Sequence, residues 1–250
     1  MLGWFLAWWR AMLFGFAAAA AALSPSVYSP RTRHIAVRQI YYTAYQVLPG
    51  FTLFTVLLSM IIIQITISLA RGYGLAPFAL ELVFRAIVLE LVPLLTAMFV
   101  ALRSGSAICT EIALMEVSGE LDEMRAANLD PYEREFVPRI AASAVGVFAL
   151  TVVSSTLVTA MTYLVMYGDT PWGFAEFTRT LARVFSPAVL AGFALKSLAF
   201  GAVVAVIPIS AGLHATRDPK TVPVAVMGGM VRLFIVLWII EGAALAIKYV

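Results

Sequence analysis

The sequence predicts an all-α, polytopic membrane protein with five transmembrane helices, N-terminal interfacial helices and a cytoplasmic coupling helix. Two observations carry the class. The 250-residue chain is 62% hydrophobic and only 12% charged, against about 25% charge in soluble domains. A soluble fold of this size could not hide so much apolar surface, because over half of its accessible area would still face water. The apolar residues also fall in long blocks without the period-2 alternation of a barrel strand, so the bundle is expected to be helical.

A helix needs about 20 mostly apolar residues to cross a bilayer. Residues 51–70 meet this with no charge. Residues 78–102 form a second span, interrupted by Glu81, Arg85 and Glu90. The third, 140–168, is uncharged; the fourth, 186–214, holds Lys196; the fifth, 223–247, holds Arg232 and Glu241. Residues 1–23 are apolar and aromatic, but Trp4, Trp8, Trp9 and Arg10 come first, the reverse of a cleaved leader. Tryptophan favours the membrane interface, so this stretch is read as a helix lying in one leaflet, with a sixth span as the alternative. The prolines of residues 24–31 break it, residues 32–46 form a second short interfacial helix, and Pro49-Gly50 opens the first span. The domains expected are thus 1–47, interfacial, and 48–250, the transmembrane bundle.

Basic residues favour the cytoplasmic side. Residues 1–40, 103–139 and 215–222 hold ten lysines and arginines between them; the opposite connections and the tail hold four, Arg71, Arg179, Arg183 and Lys248. The N-terminus is therefore expected in the cytoplasm and the C-terminus outside.

Soluble-enzyme chemistry is missing from the sequence. None of the three lysines follows a glycine, so there is no GxxxxGK[ST] phosphate loop. His34 and His214 are isolated, which excludes an HExxH zinc site, and Cys109 is the only cysteine. No serine sits in a G-x-S-x-G elbow. No catalytic residue, metal ligand or cofactor motif is assigned. The net charge of +3 is assigned to basic residues facing anionic lipid rather than to nucleic-acid binding.

Residues 103–139 are different. They hold eight of the fourteen acids against four arginines, a net charge of −4. On a continuous helix Leu114, Val117, Leu121 and Met124 share one face, with Glu116, Glu120 and Glu123 forming a stripe beside it. Such a helix can dock into a partner's groove or pack on its own bundle, and the residues alone do not separate the two. Next, Asp130 fits an N-cap, Pro131 the first helical position and Glu133 a capping-box acid. Two short helices with a turn at 127–129 are expected.

Several polar residues within spans invite a role. Glu90 is costly inside a bilayer and is read either as lining a pathway or as locking two helices. Pro93, three residues on, is expected to break the helix near it. Gln64 is read as bundle glue or as a cargo contact. Lys196 and Arg232 are expected to snorkel to an interface. Gly105 and Gly201 are expected to permit close helix packing.

The spaced motifs bring a resemblance. Glu90-Leu91-Val92-Pro93, Arg103-Ser104-Gly105-Ser106-Ala107, Glu111 with Met115, Glu120-Leu121-Asp122, Asp130-Pro131 and Pro138-Arg139 occur in order. With Gln64 and the run Lys196 to Gly201, they resemble the MlaE/YrbE family of permeases from about residue 45 to 215. Departures fall at Leu89, Val92, Leu102 and Gly119, where the family more often has arginine, glycine, glycine and a polar residue.

The resemblance implies a transmembrane subunit of an ABC transporter that moves phospholipid or a related lipid across a bacterial envelope. It would sit in the inner (plasma) membrane as a homodimer. A separate cytoplasmic ATPase would bind the coupling segment, and an MCE-domain substrate-binding protein would sit outside. It implies coupling residues Leu114, Met115, Val117, Glu120, Leu121, Asp122 and Met124, and structural anchors Arg103, Glu111 and Arg139. Gln64, Glu90 and Pro93 would serve the lipid pathway or lock the bundle. The chain itself would be no enzyme. The competing reading is an ion-coupled secondary transporter that titrates Glu90.

Overall fold

A computed structural model describes residues 2–22, 37, 41, 48–75, 78–215 and 218–249. The expected interfacial helix at 32–46 lies outside the described residues, apart from Val37 and Tyr41. The described residues form helices joined by turns. They are α1 (Leu2–Ala22), α2 (Leu48–Gly72), α3 (Ala79–Ser118), α4 (Glu120–Ala126), α5 (Tyr132–Tyr167), α6 (Phe174–Val184), α7 (Pro187–Gly212) and α8 (Val222–Tyr249). The five expected spans are the cores of α2, α3, α5, α7 and α8, and each is long and apolar enough to cross a bilayer.

The burial pattern suits a lipid solvent. Leu53, Leu57, Ile61, Ile65 and Leu69 project outward from α2, as do Val224, Met227, Val231 and Trp238 from α8. The inward face of α2 instead carries Phe51, Thr55, Ser59, Ile63 and Ile67. Small hydroxyl residues on an inner face let membrane helices approach closely without an oily driving force between them.

Helix α7 is central. It packs most extensively on α5 and α8 and also touches α3 and α1. Gly201 makes the α5 contact possible: a Cβ there would lie 2.6 Å from Ala144 Cα and 2.7 Å from the Ser143 carbonyl oxygen. Packing is thus the role the structure gives Gly201. Gly105 is less tight, with a Cβ position 3.3 Å from the Val204 carbonyl oxygen. Helix α1 lies against α7 and the foot of α5, with the Phe14 ring 5.5 Å from that of Tyr132 and 5.6 Å from that of Phe136.

Two expectations need correction. The first concerns Pro93. It does not interrupt the helix: α3 runs for 40 residues, and the proline is accommodated because Val83–Leu91 just before it is wound as wide π turns. Looser turns relieve the clash that a proline ring makes with a regular α turn.

The second concerns the connection between the second and third spans, which is not two short helices. At about 1.5 Å per residue α3 is roughly 60 Å long, twice a bilayer core, so the second span runs on past Arg103 to Ser118. The third span likewise starts at Tyr132. Only the seven-residue α4 stands between them. The break falls at Gly119, whose φ of +82° is left-handed backbone that glycine adopts without strain. A turn follows α4, with Asn128 at φ 55°. Asp130 Oδ1 then accepts from the Tyr132 N–H at 2.9 Å, the expected N-cap, with Pro131 in the first turn.

Gly201→Val is expected to abolish or strongly reduce the yield of monodisperse protein in detergent. Gly228→Ala, where a Cβ meets nothing within 4 Å, should leave the thermal midpoint within a degree or two, since only overpacked positions carry a strain of roughly 1–3 kcal/mol or more. Equal midpoints for the two variants would refute this account of the α5–α7 contact.

Candidate functional site

Four charged side chains meet inside the bundle. Glu90 comes from α3, Lys196 from α7, and Glu241 and Lys248 from α8. Lys196 is 9 residues into α7, and Glu241 and Lys248 are spaced seven apart, two helical turns on one face. The cluster lies toward the membrane face that carries the α2–α3 and α6–α7 connections.

The Lys196 ammonium is the hub. Its side chain is 7% exposed. It donates to Glu90 Oε2, to the Leu89 carbonyl oxygen at 3.0 Å, and pairs with Glu241 Oε2 at 3.2 Å. The Leu89 contact follows from local sequence: Pro93 lacks the N–H that a regular helix would return to the carbonyl four residues back. Lys248 Nζ, 22% exposed, donates to Glu90 Oε1 at 2.5 Å. Glu90 therefore sits between two ammonium groups, one on each oxygen. Lys196 does not snorkel as expected, because three acceptors hold it in the interior. Arg85, the nearest cation to Glu90 in sequence, pairs instead with Glu81 at 2.7 Å. Arg232 Nε reaches its own helix, donating to the Gly228 carbonyl oxygen at 3.0 Å.

Beside this cluster is a cavity of about 610 Å3 between the first half of α7 and the last turns of α8. Its walls include Val189, Phe193, Ile240, Ala244 and Ile247; Glu90, Lys196 and Lys248 supply its charge. An apolar slot with a few convergent polar groups is the usual form of a small-ligand site, and here the slot would open onto lipid.

The other expected site residues divide into three groups. Pro93 is buried beside the cluster, whereas Gln64 lies on the exposed face of α2, away from Glu90. Arg139 and Glu111 do meet, at 3.3 Å, and Arg139 also pairs with Glu135 at 2.7 Å. Arg103 is exposed and stands apart from them. Among the coupling residues, Leu121 is fully buried with Ile112 and Phe136, with Met124 packed against that cluster, and Met115 is buried. Leu114 is 51% exposed, Val117 is half-buried, and Glu120 and Asp122 are exposed. Because α3 stops at Gly119, Leu114 and Leu121 do not share the single stripe expected of them: one faces out and the other in.

Two features escaped the sequence reading. One is the pairing of Lys196 and Lys248 with Glu90. The other is α6, a short amphipathic helix in the α5–α7 connection, with Phe177 and Val184 buried and Phe174 exposed. The spacing of Phe174, Phe177, Leu181 and Val184 among Glu176, Arg179 and Arg183 is its signal.

This is a multi-pass helical membrane protein with an intramembrane ion cluster beside an apolar cavity, an arrangement suited to carriage rather than to bond chemistry. The chain belongs to the MlaE permease family: the family model, Permease MlaE, matches residues 36–247. It is 31% identical over 135 residues to the Arabidopsis thaliana chloroplastic protein TRIGALACTOSYLDIACYLGLYCEROL 1, covering 53% of this chain and 38% of that one. It is 23% identical to a probable ABC transporter permease protein of Rickettsia conorii, covering 88% and 83%. With the intermembrane phospholipid transport system permease protein MlaE of Haemophilus influenzae it shares 33% identity, covering 41% and 40%. The chain is thus a permease of the ABC-transporter class, a transport subunit rather than an enzyme.

Lys196→Met would leave Glu90 and Glu241 facing each other with one cation removed. It is expected to cost roughly 3–5 kcal/mol, the usual penalty for breaking a buried pair from one side. Adding Glu90→Gln should restore part of that loss. Thermal unfolding in detergent reads both, and a single variant as stable as the wild type would show that the cluster does not hold the three helices together.

Proposed function

We propose that the chain is the membrane subunit of an ABC transporter that moves phospholipid or a related lipid across a bacterial envelope. The observation that carries this reading is the cavity between α7 and α8: apolar walls suited to acyl chains and charged groups at one end suited to a headgroup. Membership of the MlaE family and the lipid-transport wording in the name of the Haemophilus influenzae relative support it. In this reading Glu90 and Pro93 serve both the pathway and the helix lock. Glu90 carries the ion pairs, and Pro93 frees the carbonyl that Lys196 uses.

ATP hydrolysis would come from a separate cytoplasmic ATPase, since the sequence lacks a phosphate loop. Its docking place is a cavity of about 790 Å3 at the cytoplasmic end, bounded by Glu111, Leu114, Val117, Glu120, Glu135 and Arg139. Exposed Leu114 would supply an apolar contact and Glu120 and Asp122 the surrounding charge. Met115 would line the cavity beside Leu114, and Leu121 and Met124 would act from behind, holding α4 to the bundle. Arg139, with Glu111 and Glu135, would fix the floor of the dock, and Arg103 would mark the membrane boundary. The N-terminus would be cytoplasmic, in the inner membrane, with an MCE-domain protein outside. A second copy of the chain would cover part of the exposed face of α2, including Gln64, because a polar amide facing lipid is costly.

The secondary-transport alternative finds less support. A carboxylate that carries protons must exchange them, and Glu90 is held between two ammonium groups.

Reconstitution with an ABC ATPase that co-purifies with the chain should yield ATP-dependent transfer of labelled phospholipid between vesicles; transfer driven by a proton gradient alone would sink the reading. Leu114→Asp and Val117→Asp are expected to weaken ATPase capture by about tenfold or more, as losses of central apolar contacts do, with the thermal midpoint unchanged. Full capture by both variants would move the dock elsewhere.

A further inference from the structure

The ion cluster beside the α7–α8 cavity is balanced: two carboxylates, Glu90 and Glu241, face two ammonium groups, Lys196 and Lys248. Its two halves differ in exposure. Lys196 is nearly buried and satisfies three acceptors on two helices. Lys248 sits in the last turn of α8, is three times as exposed (22% against 7%), and reaches across to Glu90 Oε1. Solvent competes for both partners of an exposed ion pair, so such a pair is held less tightly than a buried one. The Lys248–Glu90 pair is therefore the half of the cluster that can open while Lys196 keeps α3, α7 and α8 joined.

We propose that the Lys248–Glu90 pair stands in for a headgroup, and that a zwitterionic phospholipid replaces it: the lipid phosphate takes Lys248 and the lipid ammonium takes Glu90. The cavity then accepts zwitterionic phospholipid in preference to anionic phospholipid. This rests on the lipid-permease reading and narrows it.

The argument is one of charge conservation in a poorly solvated site. The walls around the cluster are aliphatic and aromatic, so any net charge added there lacks water to stabilise it. A zwitterion brings both signs. It separates Lys248 from Glu90 and gives each a new partner, so the number of ion pairs rises from the original set without a change in net charge. An anionic lipid brings only the negative sign. Its phosphate also draws Lys248 away, but Glu90 is then left sharing Lys196 with Glu241, and the site carries one uncompensated negative charge. Arg85, the nearest other cation on α3, does not relieve this, since it is committed to Glu81.

The test uses the full-length protein in a neutral detergent with two probes, phosphatidylethanolamine and phosphatidylglycerol, carrying identical chains and the same fluorophore at the chain end. Wild type is expected to bind phosphatidylethanolamine about tenfold tighter, the usual worth of one charge-assisted hydrogen bond. Glu90→Gln removes the ammonium's partner and leaves excess positive charge, so the order should reverse. Lys248→Gln should weaken both lipids, phosphatidylglycerol more. Equal affinities in wild type, tighter binding of phosphatidylglycerol by wild type, an order that Glu90→Gln leaves unchanged, or affinities that Lys248→Gln leaves unchanged would overturn the inference while leaving lipid carriage intact. Binding of neither probe by wild type would overturn the lipid-permease reading and the inference together. If Glu90→Gln does not fold, the wild-type preference and the terminal Lys248→Gln variant decide the question.

Discussion

A single ammonium group, that of Lys196, sets the terms for the interior of this membrane protein. An ammonium in a bilayer must be neutralised and hydrogen-bonded where it sits or carried to the surface. Here it is neutralised in place, which obliges α3 and α8 to bring their carboxylates to it. The approach of α7 to α5 depends on Gly201, where backbone meets backbone. The carbonyl that accepts the third hydrogen bond is the one to which Pro93 cannot return an N–H. Proline, lysine and glutamate thus meet at one point, and the cavity between α7 and α8 lies beside it.

The end of the bundle that carries α4 is organised differently. Leu121 anchors α4 to the bundle, Arg139 ties the base of α5 to Glu111 of α3, and Gly119 turns the chain. Glu135 is drawn inward by Arg139, while Glu111, Glu120, Asp122 and Glu123 remain on the surface. A short helix pinned by one buried leucine and fringed with carboxylates has a defined position, which suits the docking role proposed for it, because a flexible element would lose binding free energy in becoming ordered.

Much of this was legible in the sequence, for reasons specific to membranes. Five spans could be counted because each must satisfy its own backbone, so hydropathy and helix coincide. The Asp130 cap could be read because it is a local interaction. Glu90 stood out because a carboxylate in a span demands an explanation. Its partners did not, since Lys196 and Lys248 lie 106 and 158 residues further along and only the packing of α7 and α8 brings them near. The coupling segment was misread at Gly119 for a related reason: helical periodicity continues across it, and only the backbone sign separates Leu114 from Leu121. Helix α6 was passed over because eleven residues with an even mixture of charge and apolar groups resemble a connection when hydropathy is averaged.

The unbroken length of α3 has a mechanical meaning. Glu90, at the ion cluster, and Ser118, at the turn before α4, belong to one helix and are separated by about 40 Å at the usual rise. Between these two residues lie Pro93, which the π turns before it accommodate, and a second run of π turns, Ala101–Gly105, whose Gly105 is packed against α7 and α8. A push delivered at Gly119 would travel to Glu90 along this one continuous helix. The protein needs no relay of small rearrangements between its two ends, because a single lever connects them.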